Sequence, residues 1–219
     1  MSAMARASLV VMARWPAPGR CKGRLARDLG ISRAAAIQSR MTIHTLAVAR
    51  GLADKGLVDL QLAVSGLAPH AARRWGSNLG VEAMAVVMQG SGSMGSRLRR
   101  QLLSVQGRLK QPSSPERCSM VIGTDLPGLC QRDLLEALES LQSHGLVLGP
   151  ASDGGYWLLG LSGDLINPIP SWPFAGIPWG TDQVMATTLE QARRAGVSPA
   201  LLRQQNDVDQ SQDLRAWQG

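Results

Sequence analysis

Apolar and polar positions along this chain recur with two periods. Short apolar runs of strand length occupy residues 8–12, 58–65, 81–89, 118–122, 146–150 and 156–161. Runs of this kind, bounded by glycine or proline, read as buried strands. Between them the spacing lengthens to that of helices. Ile37, Met41, His44 and Val48 fall near one face of a helix over residues 33–50, with Ser32 placed to cap it. His44 belongs on or beside that packed face and is given no catalytic role. Further helices are predicted over residues 69–79, 96–107 and 131–144, the last marked by Leu134, Leu135, Leu138 and Leu141. Thr181 is placed to cap a helix running to about residue 195, and residues 199–203 and 210–217 read as a last strand and a short terminal helix. This alternation predicts an α/β fold, a three-layer α/β/α sandwich around a mainly parallel, doubly wound sheet.

The chain has 219 residues, expected to form one domain spanning 1–219. The proline- and serine-containing stretch at 111–115 reads as a surface loop rather than a linker. The apolar run after Arg6 is too short for a leader and ends at Arg14, and no segment has the length needed to span a bilayer. Three cysteines, Cys21, Cys118 and Cys130, lack metal-ligand spacing and fit a reduced, cytoplasmic setting. The formal net charge of +7 points to an anionic ligand. With one tyrosine and one phenylalanine there is no stacking platform for single strands, so a nucleotide is favoured over nucleic acid.

The chemistry concentrates where predicted strands end. Residues 13–25 form a loop with two prolines, two glycines and the cations Arg14, Arg20, Lys22 and Arg24. Glycine admits backbone N–H groups to an anion and the cations neutralise it, so the loop suits phosphate. It is not a P-loop, because the glycine spacing and the closing Lys-Ser/Thr are missing. The 118–122 run breaks at Gly123 and places Asp125 at the sheet edge, where α/β folds bind ligands; Pro127 and Gly128 stop the strand. Asp125 there suits a metal or substrate, or equally a helix cap. Asp153-Gly-Gly155 reads as a hairpin turn that would also admit a ligand, and the proline- and tryptophan-rich residues 168–179 read as an ordered lid. Asp207 and Asp209 alternate on one side of an extended segment, placed either to complete a metal site or to serve as turn residues. Gly90 to Gly95 fits G-x-G-x-x-G, the dinucleotide turn of an NAD(P)-dependent oxidoreductase. It lies after a mid-chain strand, precedes an arginine-rich helix and lacks a ribose-binding acid at a strand end, Glu116 being the residue nearest the usual offset.

Several motifs occur in one order: Ala13-Arg14, Pro16-x-Pro-Gly19, Lys22-x-Arg-Leu25, Gly92-x-x-Gly95-x-Arg97, Gly123-Thr-Asp-Leu-Pro127, Gly149-Pro-Ala-Ser-Asp-Gly-Gly-Tyr156, Pro178-Trp-Gly-Thr181 and Asp207-Val-Asp209. Together they resemble the glycosyltransferase-like family related to the 2-phospho-lactate guanylyltransferases, of the arsenosugar-biosynthesis or radical-SAM-associated type. The resemblance implies the nucleotide-diphospho-sugar transferase (GT-A) fold and a Mg²⁺ or Mn²⁺ cofactor. It implies catalytic roles for Lys22, Arg24 and Asp125, with Asp125, Asp207 and Asp209 as metal ligands. Ala13, Arg14, Pro18, Gly19, Gln89, Gly92, Gly95, Arg97 and Thr124 would bind nucleotide. Asp153, Gly154, Gly155, Tyr156, Trp179 and Thr181 would face the second substrate. Gly23 stands where that family usually carries threonine, which removes one hydroxyl from the phosphate loop. The expected activity is glycosyl transfer from a nucleotide sugar to a small-molecule acceptor. The alternatives are nucleotidyl transfer from a triphosphate to a phosphorylated small molecule, and a catalytically weak nucleotide-binding protein.

Overall fold

The computed structural model describes residues 7–108, 118–166 and 168–217. The 111–115 loop and Glu116 lie outside the described residues. The apolar runs form a seven-stranded sheet from β1 (Ala7–Arg14), β2 (Val58–Ser65), β3 (Val86–Met88), β4 (Ser119–Ile122), β5 (Leu146–Pro150), β6 (Tyr156–Leu161) and β7 (Ala200–Leu201), in the order β3-β2-β1-β4-β6-β5-β7. β1 pairs in parallel with β2 and β4, as do β2 with β3 and β5 with β7. β6 runs antiparallel to β4 and β5, and the 151–155 turn joins β5 to β6 as a hairpin.

Alternate residues of each strand enter opposite layers, as the period of two requires. Leu9, Val11 and Ala13 pack with α2 (Ile31–Ala53), α3 (Pro69–Asn78) and α5 (Gln131–Ser140) through Leu46, Ala72, Trp75 and Leu134. Val10, Val121 and Leu159 face the other way, against α4 (Met94–Arg108), α6 (Gly163–Ile166) and α7 (Val184–Arg194). The lid residues join this second layer through Phe174, which is buried, and the partly buried Trp172 and Trp179. A third cluster matters most for the site. Leu25 of α1 (Gly23–Leu29) packs with Ile37 and Met41 of α2 and with Val208 and Leu214 of the C-terminal segment. It fastens the loop after β1 to residues 206–214, nearly two hundred positions away. Among the described residues, no helix is long and apolar enough to cross a membrane.

The helix expected over 131–144 ends at Ser140, the strand expected over 199–203 is only Ala200–Leu201, and four further boundaries differ for local reasons. The last three residues of the 13–25 loop are helical, because α1 begins at Gly23, and only Gly30 separates it from α2. Gly30, at φ 84, is therefore the residue before α2, and Ser32 lies inside the helix without capping it. The strand expected over 81–89 shrinks to three residues, since Ala83–Ala85 wind into a 3-10 turn. Thr181 does not cap α7, which starts two residues after Asp182 behind Gln183; its hydroxyl donates to the Pro178 carbonyl and accepts from the Gln183 N–H, closing a local turn.

Candidate functional site

Parallel strands β1 and β4 lie side by side at the centre of the sheet, with the chain leading from β1 to β2 on one side and from β4 to β5 on the other, so their carboxyl ends open a crevice. A cavity of about 1160 Å³ occupies it. One wall is the loop after β1 with α1, carrying Arg14, Gly19, Arg20, Lys22, Gly23, Arg24 and Arg27. The floor is Thr124 and Asp125 with Gln38, and the far wall includes Asp153, Gly155, Tyr156, Trp179 and Thr181.

Lys22 is the pivot. Its backbone is left-handed, at φ 47, the only non-glycine with positive φ among the described residues. Such a conformation costs an L-residue about 1–2 kcal/mol, and here it turns the side chain inward. Only 4% of that side chain is exposed. Its ammonium lies 2.9 Å from Asp125 Oδ2 and 3.3 Å from Asp209 Oδ1, and donates to the Val208 carbonyl at 2.6 Å. Arg24 meets the other oxygen of Asp209 at 3.2 Å. The Val208 N–H donates to the Asp125 carbonyl, so a backbone bond holds the two acid-bearing segments together. Behind Asp125, the buried Gln38 of α2 donates to Asp125 Oδ1 and to Thr124 Oγ1, each at 3.1 Å. Arg14, Arg20 and Arg27 also line the cavity and have no acidic partner among the described residues.

The acids of the hairpin and the tail form the next layer. Asp153 Oδ1 accepts from the Gly155 N–H, which locks the turn. Asp207 lies beside Ser152, whose hydroxyl donates to it over 3.5 Å. Burial raises the Asp207 carboxyl above its ordinary value, and the neighbouring charge of Asp153 adds to that. Burial likewise raises the Tyr156 phenol; its ring meets Trp179 edge-on at 6.0 Å. In the loop after β1, burial raises the Cys21 thiol against the opposing pull of Arg14 and Lys22.

Not every residue singled out in the sequence reaches the cavity. Asp207, Ala13, Pro18, Gly92, Gly95 and Gly154 are absent from its lining. Ala13 offers its carbonyl to the side-chain amide of the buried Gln89, which itself lines the cavity. Gly95 lies under the lid, where a Cβ would collide with the Phe174 carbonyl. Gly154, at φ 85, passes so close to the Asp182 backbone that no side chain fits. Gly92 accepts from Arg97 Nε, and Arg100 binds the Gln89 and Ser91 carbonyls, so arginines pin this glycine loop. The loop follows the edge strand β3. Arg97 does line the cavity. Gln38 escaped sequence reasoning, although a polar residue in the buried register of an amphipathic helix was the available signal.

A divalent cation is tested by the donors present. Asp125 and Asp209 already converge on one ammonium, and all four of their carboxylate oxygens are engaged by Lys22, Gln38 or Arg24. Among the described residues, no group of three His, Cys, Asp or Glu is arranged to hold a metal unaided. Two hard carboxylates completed by substrate phosphates and water are a usual setting for Mg²⁺, so the residues fit a metal that arrives with nucleotide.

A profile of the family described as "Uncharacterized protein conserved in bacteria (DUF2064)" matches residues 48–181. The chain shares 25% identity and a TM-score of 0.81 with a Desulfovibrio desulfuricans G20 protein provisionally named a nucleotide-diphospho-sugar transferase, over 97% of this chain and 86% of that one. Rv0371c of Mycobacterium tuberculosis H37Rv is 19% identical at a TM-score of 0.56, over 98% and 99%. The 2-C-methyl-D-erythritol 4-phosphate cytidylyltransferase of Thermus thermophilus is 14% identical at 0.51, over 97% of each chain. The fold is therefore that of the nucleotidyltransferases and nucleotide-sugar transferases. No curated protein matches the sequence.

Proposed function

We propose that this chain, which belongs to the DUF2064 family of uncharacterized bacterial proteins, is a nucleotide-dependent transferase that moves a nucleotidyl group from a triphosphate to a phosphorylated small molecule. The observation that carries this reading is that Arg14, Arg20 and Arg27, cations without acidic partners among the described residues, line the same cavity as the Asp125–Asp209 pair. A triphosphate together with a phosphorylated acceptor presents more negative charge than a diphospho-sugar, and matches such a wall better. The cytidylyltransferase likeness supports it, as does the resemblance to the 2-phospho-lactate guanylyltransferases.

In this reading the three arginines seat the phosphates. Lys22 and Arg24 leave the carboxylates for phosphate oxygens and stabilise the charge that builds there. An acceptor phosphate oxygen attacks the α-phosphorus, the bond from that phosphorus to the bridging oxygen breaks, and pyrophosphate departs. A phosphate acceptor is already ionised at neutral pH and needs no general base. Asp125 and Asp209, the acids Lys22 leaves, would hold Mg²⁺ or Mn²⁺, which supplies charge neutralisation; Asp207, outside the cavity lining, would assist them only through its charge. Thr124, Gln89 and Arg97 would border the nucleoside, with Gly19 beside the phosphates. We take residues 1–219 as one catalytic domain working in the cytoplasm.

Glycosyl transfer from a nucleotide sugar is the second reading. It is favoured by the provisional name of the D. desulfuricans protein and by the Tyr156–Trp179 pair, on which a sugar ring could rest. Incubation with a panel of triphosphates and nucleotide sugars, each with Mg²⁺ and candidate acceptors, separates the two. Acceptor-dependent pyrophosphate release supports nucleotidyl transfer. Nucleoside diphosphate release from a sugar donor supports the second reading instead.

A further inference from the structure

We infer that Gln38 is the positioning residue for the Asp125 carboxylate, holding one oxygen still so that the other can trade Lys22 for a metal ion. The inference rests on the proposed role of Asp125. Gln38 lies on the core-facing side of α2, among Ala34, Ile37, Met41 and Thr42, where apolar side chains prevail. A polar side chain in such a place costs stability unless its hydrogen bonds are made. Its amide nitrogen has two N–H bonds, and they go to the two consecutive residues at the end of β4: Thr124 Oγ1 and Asp125 Oδ1, each at 3.1 Å. Both acceptors lie more than eighty residues along the chain.

The effect on Asp125 is an asymmetry between its oxygens. Oδ1 is tied from behind by a buried donor, whereas Oδ2 faces the cavity and bonds the Lys22 ammonium. Backbone bonding fixes the residue itself, since its carbonyl accepts from Val208. The carboxylate therefore cannot rotate freely to meet Lys22 with either oxygen. Hydrogen bonds to a ligating carboxylate are part of a metal site, and their loss typically lowers metal affinity or activity about 10–100-fold.

Gln38→Met keeps the length of the side chain and removes both donors. Mn²⁺ binding, followed by the spin-resonance signal of free Mn²⁺ in the presence of a slowly hydrolysed triphosphate analogue, should weaken about tenfold or more. Affinity for the same analogue without metal should fall much less than this, because Gln38 bonds Thr124 and Asp125 and none of the arginines that seat the phosphates. In an Asp125→Asn background, Gln38→Met should produce no further loss of Mn²⁺ affinity; an additive loss would mean that Gln38 acts elsewhere. Gln38→Leu, which removes both donors without adding a charge beside Asp125, is the second variant should the methionine protein fold poorly, and should also bind Mn²⁺ more weakly. Wild-type protein that binds Mn²⁺ but transfers nothing defeats the proposed reaction and leaves the Gln38 result standing. Equal Mn²⁺ affinity in wild type and both variants, or no Mn²⁺ binding in any of them, overturns the inference.

Discussion

Two aspartates eight positions apart, on either side of the turn from β4 to α5, show how differently one fold uses the same side chain. Asp133 is 2% exposed. Its oxygens bind the Arg203 guanidinium from Nε and Nη2, and one of them also accepts from the Cys130 N–H to cap α5. Arg203 spends a further donor on the Gly128 carbonyl. Asp125 has 44% of its side chain exposed, faces a cavity, and shares its cation with Asp209. In the first assembly both carboxylate oxygens are bound and the acid itself is closed off, although the Arg203 side chain is 51% exposed, so no incoming anion can replace Asp133 without breaking the packing around it. In the second, Asp125, Asp209 and Arg24 are all partly exposed to the cavity that Lys22 also lines, so partners can be exchanged. Exposure and competition, more than the ion pair itself, separate a structural acid from a working one.

Neutralising each acid tests that division. Asp125→Asn should lower transfer about a hundredfold or more with little change in melting temperature, because Lys22 keeps Asp209 and the Val208 carbonyl as partners. Turnover within a few fold of wild type would place the chemistry elsewhere.

Arg203→Met should do the opposite. It leaves a buried carboxylate without its charged partner, at a cost of about 2–3 kcal/mol, which for a chain of this size lowers the melting temperature by roughly 5–10 °C. At a temperature where the variant is folded, kcat should match wild type. A selective loss of kcat would show that the rear assembly also serves the site.

The same contrast appears against pH. Burial opposes the charge on Asp133, but Arg203 and the Cys130 N–H outweigh it and hold the carboxyl below its ordinary value of 3.8. A depressed folded pKa means stability that is complete above the ordinary aspartate value and lost as pH falls through the lowered one. Melting temperature should therefore fall as pH drops below about 3.8, and the fall should be shallower in Asp133→Asn. Parallel profiles for the two proteins would assign the acid limb to other carboxylates.

These assemblies were unequally legible in the sequence. The apolar runs at 8–12 and 146–150 announced strands, because a strand buried on both faces must be apolar throughout, and 58–65 announced one by its alternation. Asp125 was visible for the same reason, as the charge that interrupts such a run. The start of α2 was not, because Ser32 satisfies the capping preference while Gly30 does the turning. Helix α1 hid inside a loop rich in proline and glycine; its single buried residue, Leu25, gains its packing from residues of α2 and of the C-terminal segment, Met41 and Val208 among them. Arg203 and Gln38 were invisible as partners, because each acts on residues at least seventy positions away. Composition could predict a cationic loop and an acidic edge. It could not say that Lys22 already lies between two of the acids.

The smallest expected effect sharpens the comparison within the working region itself. Gly23 opens α1 beside Lys22, lines the cavity, and has nothing within 4 Å of where a Cβ would lie. Its φ is not among the positive ones, so a side chain brings no backbone strain. The rear assembly has no such slack, since every group around Asp133 is engaged. Gly23→Thr should therefore fold as wild type, and helix propensity favours it slightly. The added hydroxyl faces the phosphate wall and can contribute one hydrogen bond worth about 0.5–1.5 kcal/mol, a two- to tenfold tightening of triphosphate binding by calorimetry. Unchanged affinity would mean that the phosphates pass the other side of Lys22, nearer Arg14 and Arg20. Weaker binding would mean that this opening is where the nucleotide needs room.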